Sequence, residues 1–413
     1  MVGYDQIATH RWMIRDSART SAFREALMKT VAPGSAVLDV GAGTGILSLF
    51  AAQAGARVVY AVERAPIAAL AAKLVESNGL SHTVRVVRTN IEGAELPERV
   101  DVIVSEWLGS IGINENLLLP VLLARDRWLK PGATIIPSVV TAYAAPACLS
   151  MLPDAAWFWD RPYGLDLSLL AEPSIHEQLC HPRRVVPQEL AVDAHVLWRT
   201  DVRVTTVEQA RLPARADITF ELKDAKPVNA LVAWFEAELA PGCVLSNSPQ
   251  SPETHWGQLM LPFNRTIDCK RGDRLTARVV CIPSGAGQSQ MAWSARLNDG
   301  PWEHHDTRVY PDPFGVPTGR RPVPPVLGAG ATPDPAGPLA RQIAPPPSAN
   351  AATHSGVPPI THFLARLAVD PELLRQFLRD PKAVLNSHGV PMEDQNALLS
   401  RNAHAIESAM LRS

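Results

Sequence analysis

The chain has 413 residues, too many for one ordinary domain and suited to two or three. Hydrophobic residues make up 46% and the net charge is −2. Cores can therefore form, while no overall charge draws the chain to nucleic acid or an anionic membrane, and neither is expected as a partner. Five scattered cysteines without a C-x-x-C argue against a disulfide framework or a zinc site, and no metal is expected. The first residues carry no basic-then-apolar leader and no apolar run approaches a membrane span, which points to the cytoplasm. Lysine fills only seven of the 39 basic positions and alanine is abundant, a bias of GC-rich coding that suggests a bacterium.

Residues 8–30 read as helical. From Pro33 strands and helices alternate: a strand at Val37–Val40, the loop Gly41-Ala42-Gly43-Thr44-Gly45, a helix from Ile46 to Gln53, and a strand at Val58–Glu63. A helix ending at Asn78-Gly79 precedes a strand at Val84–Arg88; then come a strand at Val100–Ser105, a helix over Leu117–Trp128, a turn at Lys130-Pro131-Gly132 and a strand at Ala133–Ile136. Strands spaced by helices with short loops predict right-handed βαβ units and a parallel sheet. After about Ala145 the regime shifts, through an aromatic stretch with Trp157, Trp159 and Tyr163, to strand-like segments at 202–207, 216–222, 230–237, 274–281 and 291–297, as in an antiparallel β domain. A Pro/Gly-rich linker spans 311–357, and a helical module spans 358–413, where Asp370-Pro371 and Asp380-Pro381 each place a capping Asp before a first-turn Pro.

A strand running into G-A-G-T-G before a helix brings backbone N–H groups and a helix N-terminus against a ligand. Dinucleotide loops need a third glycine where Ile46 stands, so the spacing suits S-adenosylmethionine, with Gly41, Gly43 and Gly45 forming the cradle. Glu63 ends the second strand, where a carboxylate can take both ribose hydroxyls. Packing alone would also explain such a turn.

The next strand runs into Ser105-Glu106-Trp107-Leu108-Gly109, followed by Ile113-Asn114-Glu115-Asn116. These two glutamates fall where open α/β sheets bind ligands. A guanidinium has a pKa above about 12, donates five N–H bonds in one plane and offers no free lone pair. Carboxylates gripping that fork hold charge on part of it and leave another nitrogen nucleophilic. Taken alone, two solvated loop carboxylates would be the plainer reading.

From Tyr4 to about Tyr310 the chain resembles the protein arginine methyltransferase family. The resemblance rests on the helix His10-Arg11-Trp12-Met13-Ile14-Arg15-Asp16-Ser17-Ala18-Arg19-Thr20, the loop bearing Glu106 and Glu115, Ile91-Glu92-Gly93, the segments Trp157-Phe158-Trp159 and Tyr163-Gly164-Leu165-Asp166, and Thr254-His255-Trp256. It implies a Rossmann-like α/β methyltransferase domain with its N-terminal helix at 1–145, then an antiparallel β-barrel at 146–310 with a helical dimerisation arm near 150–180, and so a homodimer. It also implies S-adenosyl-L-methionine as cofactor, bound by Tyr4, Arg19, Asp39, Gly41, Gly43, Gly45, Glu63, Ile91 and Glu92, with Arg19 on the cofactor carboxylate, Glu63 on the ribose and Glu92 at the adenine amine. Glu106 and Glu115 would clamp the arginine of a peptide or protein, His255 would sit against Asp16, and Met13 would lie beside the reacting nitrogen. Two departures stand out: only Met1, Val2 and Gly3 precede Tyr4, implying a shortened lid, and Leu117 replaces a family methionine that bears on product identity. Free arginine or another guanidino metabolite remains an alternative substrate, and a non-catalytic scaffold a third reading. The tail at 358–413 fits either a peptide-docking module or a structural cap.

Overall fold

The structure, a computed structural model, describes residues 6–150, 152, 159, 161–176, 179–180, 184–284, 289–307, 376–377, 379–388 and 390–399. Tyr4, Trp157, Phe158, the expected linker and the Asp370-Pro371 cap lie outside these residues. The chain divides into two units, Met1–Gly319 and Arg320–Ser413.

The stretch expected as one helix over 8–30 is two, α1 (Ile7–Arg15) and α2 (Ser17–Thr30). Asp16 breaks it in an extended conformation (φ −65, ψ 92), with its side chain accepting from the Arg19 backbone N–H at 2.9 Å. A short carboxylate competes for free N–H groups and so starts a new helix rather than continuing the old one.

Five strands follow: β1 (Ala36–Val40), β2 (Val58–Val62), β3 (Val84–Val87), β4 (Val100–Val104) and β5 (Leu129–Ile136). Between them run α3 (Ile46–Gln53), α4 (Ala68–Ser77) and α5 (Leu118–Trp128). Every residue of β1 and β2 is buried, as their unbroken apolar runs require in a sheet covered on both faces. The sheet order is β3-β2-β1-β4-β5, all parallel. Strand order therefore reverses between β1 and β4, and the two loops that leave their carboxyl ends open a crevice there. The expected turn at Lys130-Pro131-Gly132 lies within β5 instead, as an irregularity in its pairing with β4 and with Gly132 at φ +73.

β6 (Val139–Ala147) already belongs to the next sheet, so a single strand crosses the expected boundary at 145. The arm region contributes α6 (Ala171–Ser174) and β7 (Leu179–Cys180). β8 covers His195–Asp201, not 202–207. Past Asp201 the chain turns, because the Arg125 guanidinium of α5 binds the carbonyls of Val202 and Thr205, at 2.5 and 2.7 Å. Thr206 and Gln209 then cap each other to start α7 (Val207–Ala210). The remaining strands are β9 (Ala214–Glu221), β10 (Val228–Ala240), β11 (Cys243–Ser246), β12 (Leu259–Ile267), β13 (Arg274–Ile282), β14 (Gln290–Leu297) and β15 (Glu303–Asp306). They form antiparallel sheets in the orders β7-β12-β10-β6-β8, with β11 on β10, and β15-β14-β13-β9. Leu231 and Leu261 from one sheet and Phe220, Val279 and Trp293 from the other share one core.

The segment between the two glutamates is part of that core: Ile111 is fully buried in it, although the strand before it belongs to the parallel sheet. Asn247, buried at the end of β11, holds the segment from the barrel side. Its amide donates to the carbonyls of Ser110, at 2.9 Å, and Gly257, and accepts from Phe235 N–H at 2.8 Å. The second unit holds α8 (Pro381–Ser387) and α9 (Met392–Leu399), with Val384, Leu385 and Val390 as a small core. Asp380 caps α8 by accepting from Ala383 N–H at 3.1 Å.

Candidate active site

The loop after β1 is shaped by glycines at φ 73, 56 and 81, for Gly41, Gly43 and Gly45. At Gly43 a Cβ would fall 2.9 Å from Cε1 of His10, so the buried His10 ring rests on the bare backbone. Glu63, just past β2, faces this loop: one carboxylate oxygen accepts from Gly43 N–H at 2.9 Å and the other from Ala65 N–H at 2.7 Å. Beneath, Asp39 is completely buried; Ser48 Oγ donates to Oδ2 at 2.6 Å, while Oδ1 has no hydrogen bond among the described residues. Burial raises its carboxyl to about 7, opposed by the Ser48 hydrogen bond and reinforced by the charge of Glu63.

The second loop leaves β4 through Ser105, whose hydroxyl donates to the Val40 carbonyl at 2.6 Å and ties the two strand ends together. Glu106 then meets Arg19. The guanidinium donates from Nη2 at 2.7 Å and Nε at 3.1 Å to Glu106 Oε2, and Leu108 N–H donates to Oε1 at 3.0 Å. Both side chains of this ion pair are nearly buried. Arg19, which the resemblance implies on the cofactor carboxylate, lies at the cavity and pairs there with Glu106, 87 residues away.

Beyond Gly109 the chain doubles back through paired hydrogen bonds to Gly112, at 2.8 and 2.9 Å. A Cβ on Gly109 would stand 2.9 Å from Cγ of Glu115, so the second glutamate depends on that glycine for its place. Asn114, fully buried, accepts from Ile111 N–H at 3.0 Å, and its carbonyl takes Ser289 N–H at 2.7 Å. Asn116, at φ 58, donates to Ser284 Oγ at 3.3 Å and accepts from Ser289 Oγ at 2.8 Å. The glutamate loop is thus anchored to β14's entrance as well as to β4.

Asp16 closes the arrangement. Its Oδ1 caps α2, and its Oδ2 accepts from both the backbone N–H and the ring Nδ1 of His255, each at 2.8 Å. Burial pushes the carboxyl up, but hydrogen bonds from the His255 ring and the amides of Arg19 and His255 outweigh it and hold the group below the usual range. Trp256 Nε1 donates to the Leu108 carbonyl at 2.7 Å, which joins the histidine loop to the glutamate loop.

A cavity of about 970 Å³ joins these parts. Gly41, Gly43, Glu63, Ile91 and Glu92 line one side, and Met13, Arg19, Glu106, Glu115, Leu117 and His255 another. Asp39 and Gly45 stand behind the wall rather than on it, and Tyr4 lies outside the described residues. Sequence reasoning missed His10, Asn116 and the barrel residues Ser284 and Ser289, all of which border the cavity. Only the fold brings the serines to the loop; His10 carried a signal, three residues before Met13 on one helix face.

A family model of the arginine methyltransferase oligomerization subdomain matches residues 139–297, and one of ribosomal protein L11 methyltransferase matches residues 19–140. Protein arginine N-methyltransferase 6 of Xenopus tropicalis is 35% identical over 292 residues, covering 68% of this chain and 85% of that protein. The chain belongs to the protein arginine N-methyltransferase family. It is accordingly a methyltransferase of the S-adenosylmethionine-dependent class. Protein arginine N-methyltransferase 1 of Dictyostelium discoideum is 30% identical over 303 residues, covering 70% of this chain and 85% of that protein. Among solved structures, the Trypanosoma brucei PRMT1 enzyme-prozyme heterotetrameric complex with AdoHcy has a TM-score of 0.67 at 28% identity, covering 73% of this chain and 98% of that one. Arabidopsis thaliana protein arginine methyltransferase 10 has a TM-score of 0.64 at 26% identity, covering 74% and 99%. No described helix is long and apolar enough to cross a membrane.

The raised acid at Asp39 has a measurable consequence. A group whose folded pKa lies above its unfolded value contributes stability that is complete below about 4 and lost as the pH rises through about 7. Asp39→Asn cannot ionise, so its Tm relative to the parent should improve from pH 5 to about pH 7 and level off above it in differential scanning fluorimetry. A Tm difference that stays constant over that range contradicts a buried, protonatable Asp39.

Proposed function

We propose that this chain methylates a guanidinium nitrogen of arginine in a peptide or protein, by in-line displacement with Glu106 and Glu115 as a carboxylate clamp. The observation that carries the reading is the meeting, in one cavity, of the glycine loop with two glutamates of a single rigid loop. The residues present suit S-adenosylmethionine: Gly41, Gly43 and the Glu63 carboxylate line one end of the cavity, where backbone and an acidic acceptor can meet a nucleoside and its ribose hydroxyls. When bound, that group supplies a methyl on a sulfonium, an electrophile that needs only an aligned lone pair.

The substrate nitrogen supplies that lone pair, the sulfur leaves as a neutral thioether and one N–H proton is given up; the chain's own residues prepare the nitrogen. Two anionic carboxylates hold the fork of the substrate in plane and draw its charge toward the bound nitrogens. The remaining nitrogen regains nucleophilic character, and its position is set by the loop rather than by solvent. Arg19 fixes the rotamer of Glu106 through its two-point contact. Met13 limits the space beside the reacting nitrogen, and His255, with Nδ1 held by Asp16, leaves Nε2 to pass a proton outward.

The arm supports a homodimer. Tyr163 is 96% exposed and Leu169 83%, apolar surface that a second copy can bury. The composition further suits a bacterial, cytoplasmic enzyme. The tail's own small core suits a tethered docking module for substrate peptides.

Glu115→Gln should keep the fold and cofactor affinity yet lower kcat by about a hundredfold or more, because an amide cannot supply the charge. Near-parental turnover on an arginine peptide overturns the clamp. Light scattering at micromolar concentration should give a dimer, and Tyr163→Asp combined with Leu169→Asp should give a monomer; a dimer unaffected by both changes removes the arm from the interface.

A further inference from the structure

A second, smaller cavity of about 110 Å³ lies beside the first and is lined by Trp12, Arg184, Glu253, Thr254, His255, Gly257 and Gln258. His255 lines both cavities, and α1 borders both as well, through Trp12 on one side and Met13 on the other. We propose that Trp12, Arg184 and Glu253 form a subsite that binds the stretch of substrate peptide next to the target arginine. This rests on the reading of the chain as a peptide arginine methyltransferase.

The polar groups of the small cavity are arranged for a neutral ligand with one donor and one acceptor. Arg184 is fixed by the backbone, its Nη2 donating to the carbonyls of Pro249, at 3.0 Å, and Ser251. It has no carboxylate partner among the described residues, so its remaining N–H groups are left for a ligand. Glu253 is exposed and likewise forms no ion pair among the described residues. Opposite charges that line one small cavity without meeting each other are unusual, since pairing would relieve both. A peptide unit complements them: its carbonyl accepts from Arg184 and its N–H donates to Glu253. The volume is that of about four waters, enough for a peptide unit with a small side chain.

Trp12 adds the apolar part. It stays 49% exposed although it packs edge-on to the His255 ring, with centroids 5.2 Å apart at 78°. A half-exposed indole at the rim of a substrate cavity is the kind of rigid surface on which a neighbouring residue stacks. The α-ammonium and α-carboxylate of free arginine offer the same donor and acceptor pair, but they bring nothing to cover Trp12.

The full-length protein tests this with a short fluorescein-labelled glycine–arginine peptide, its binding read by anisotropy and its methylation by steady-state kinetics, beside free arginine. Trp12→Ala and Glu253→Gln should each raise the peptide Kd and KM about three- to tenfold while leaving kcat and cofactor affinity unchanged. Trp12→Phe should restore most of the peptide affinity. Unchanged Kd and KM overturn the subsite, as does a fall in kcat or cofactor affinity that Trp12→Phe shares. A loss of equal size on free arginine also overturns it, since the site then reads an amino-acid head group. If the parent protein binds the peptide and Trp12→Ala weakens that binding, but no arginine is ever methylated, the subsite stands and the catalytic reading fails. A parent protein that does not bind the peptide overturns the subsite.

Discussion

One carboxylate, that of Asp16, accepts from Arg19 N–H, His255 N–H and His255 Nδ1, and so joins the second helix to a barrel loop 239 residues further on. Charged acceptors with several short donors are strong where water is scarce, and a buried carboxylate deprived of them is costly. Because Asp16 begins α2, Arg19 stands one turn later and reaches Glu106. The break between α1 and α2 therefore does three things together: it directs Met13 and His10 at the cavity, sets Arg19 on the first glutamate, and holds the histidine loop against both. A continuous helix over the same residues would do none of them.

The glutamate loop depends on both domains. It begins at a parallel strand, sinks Ile111 into the barrel core, and returns through Asn114 and Asn116 to Ser284 and Ser289. Asn247 and the Trp256 indole hold its first half by the carbonyls of Ser110 and Leu108. Neither domain alone contains the contacts that space the two carboxylates. The second domain thus fixes the loop that carries Glu106 and Glu115.

The parallel sheet was legible because its signals are local. Unbroken apolar runs at β1, β2 and β4 mark strands buried on both faces, and a glycine-rich turn after β1 marks the ligand loop. Glu106 and Glu115 could be picked out because both follow one of those strands. The rest is carried by contacts between distant residues. The alternation at 202–207 imitates a strand, yet Arg125 claims the carbonyls and Thr206 caps a helical turn. Arg19 meets Glu106, a partner that no spacing along the chain announces. Nothing along the chain marks Arg184, whose setting is two backbone carbonyls and a neighbouring cavity.

The proposed activity is transfer of a methyl group from S-adenosylmethionine to an arginine guanidinium. The direct measurement is tandem mass spectrometry of a peptide containing arginine, lysine and histidine after incubation with S-adenosylmethionine bearing a deuterated methyl group. The label should appear on the arginine side chain only, and replacing that arginine by lysine should abolish it. Label on lysine, histidine or the peptide terminus, or none on arginine at cofactor concentrations that saturate the protein, would contradict the account.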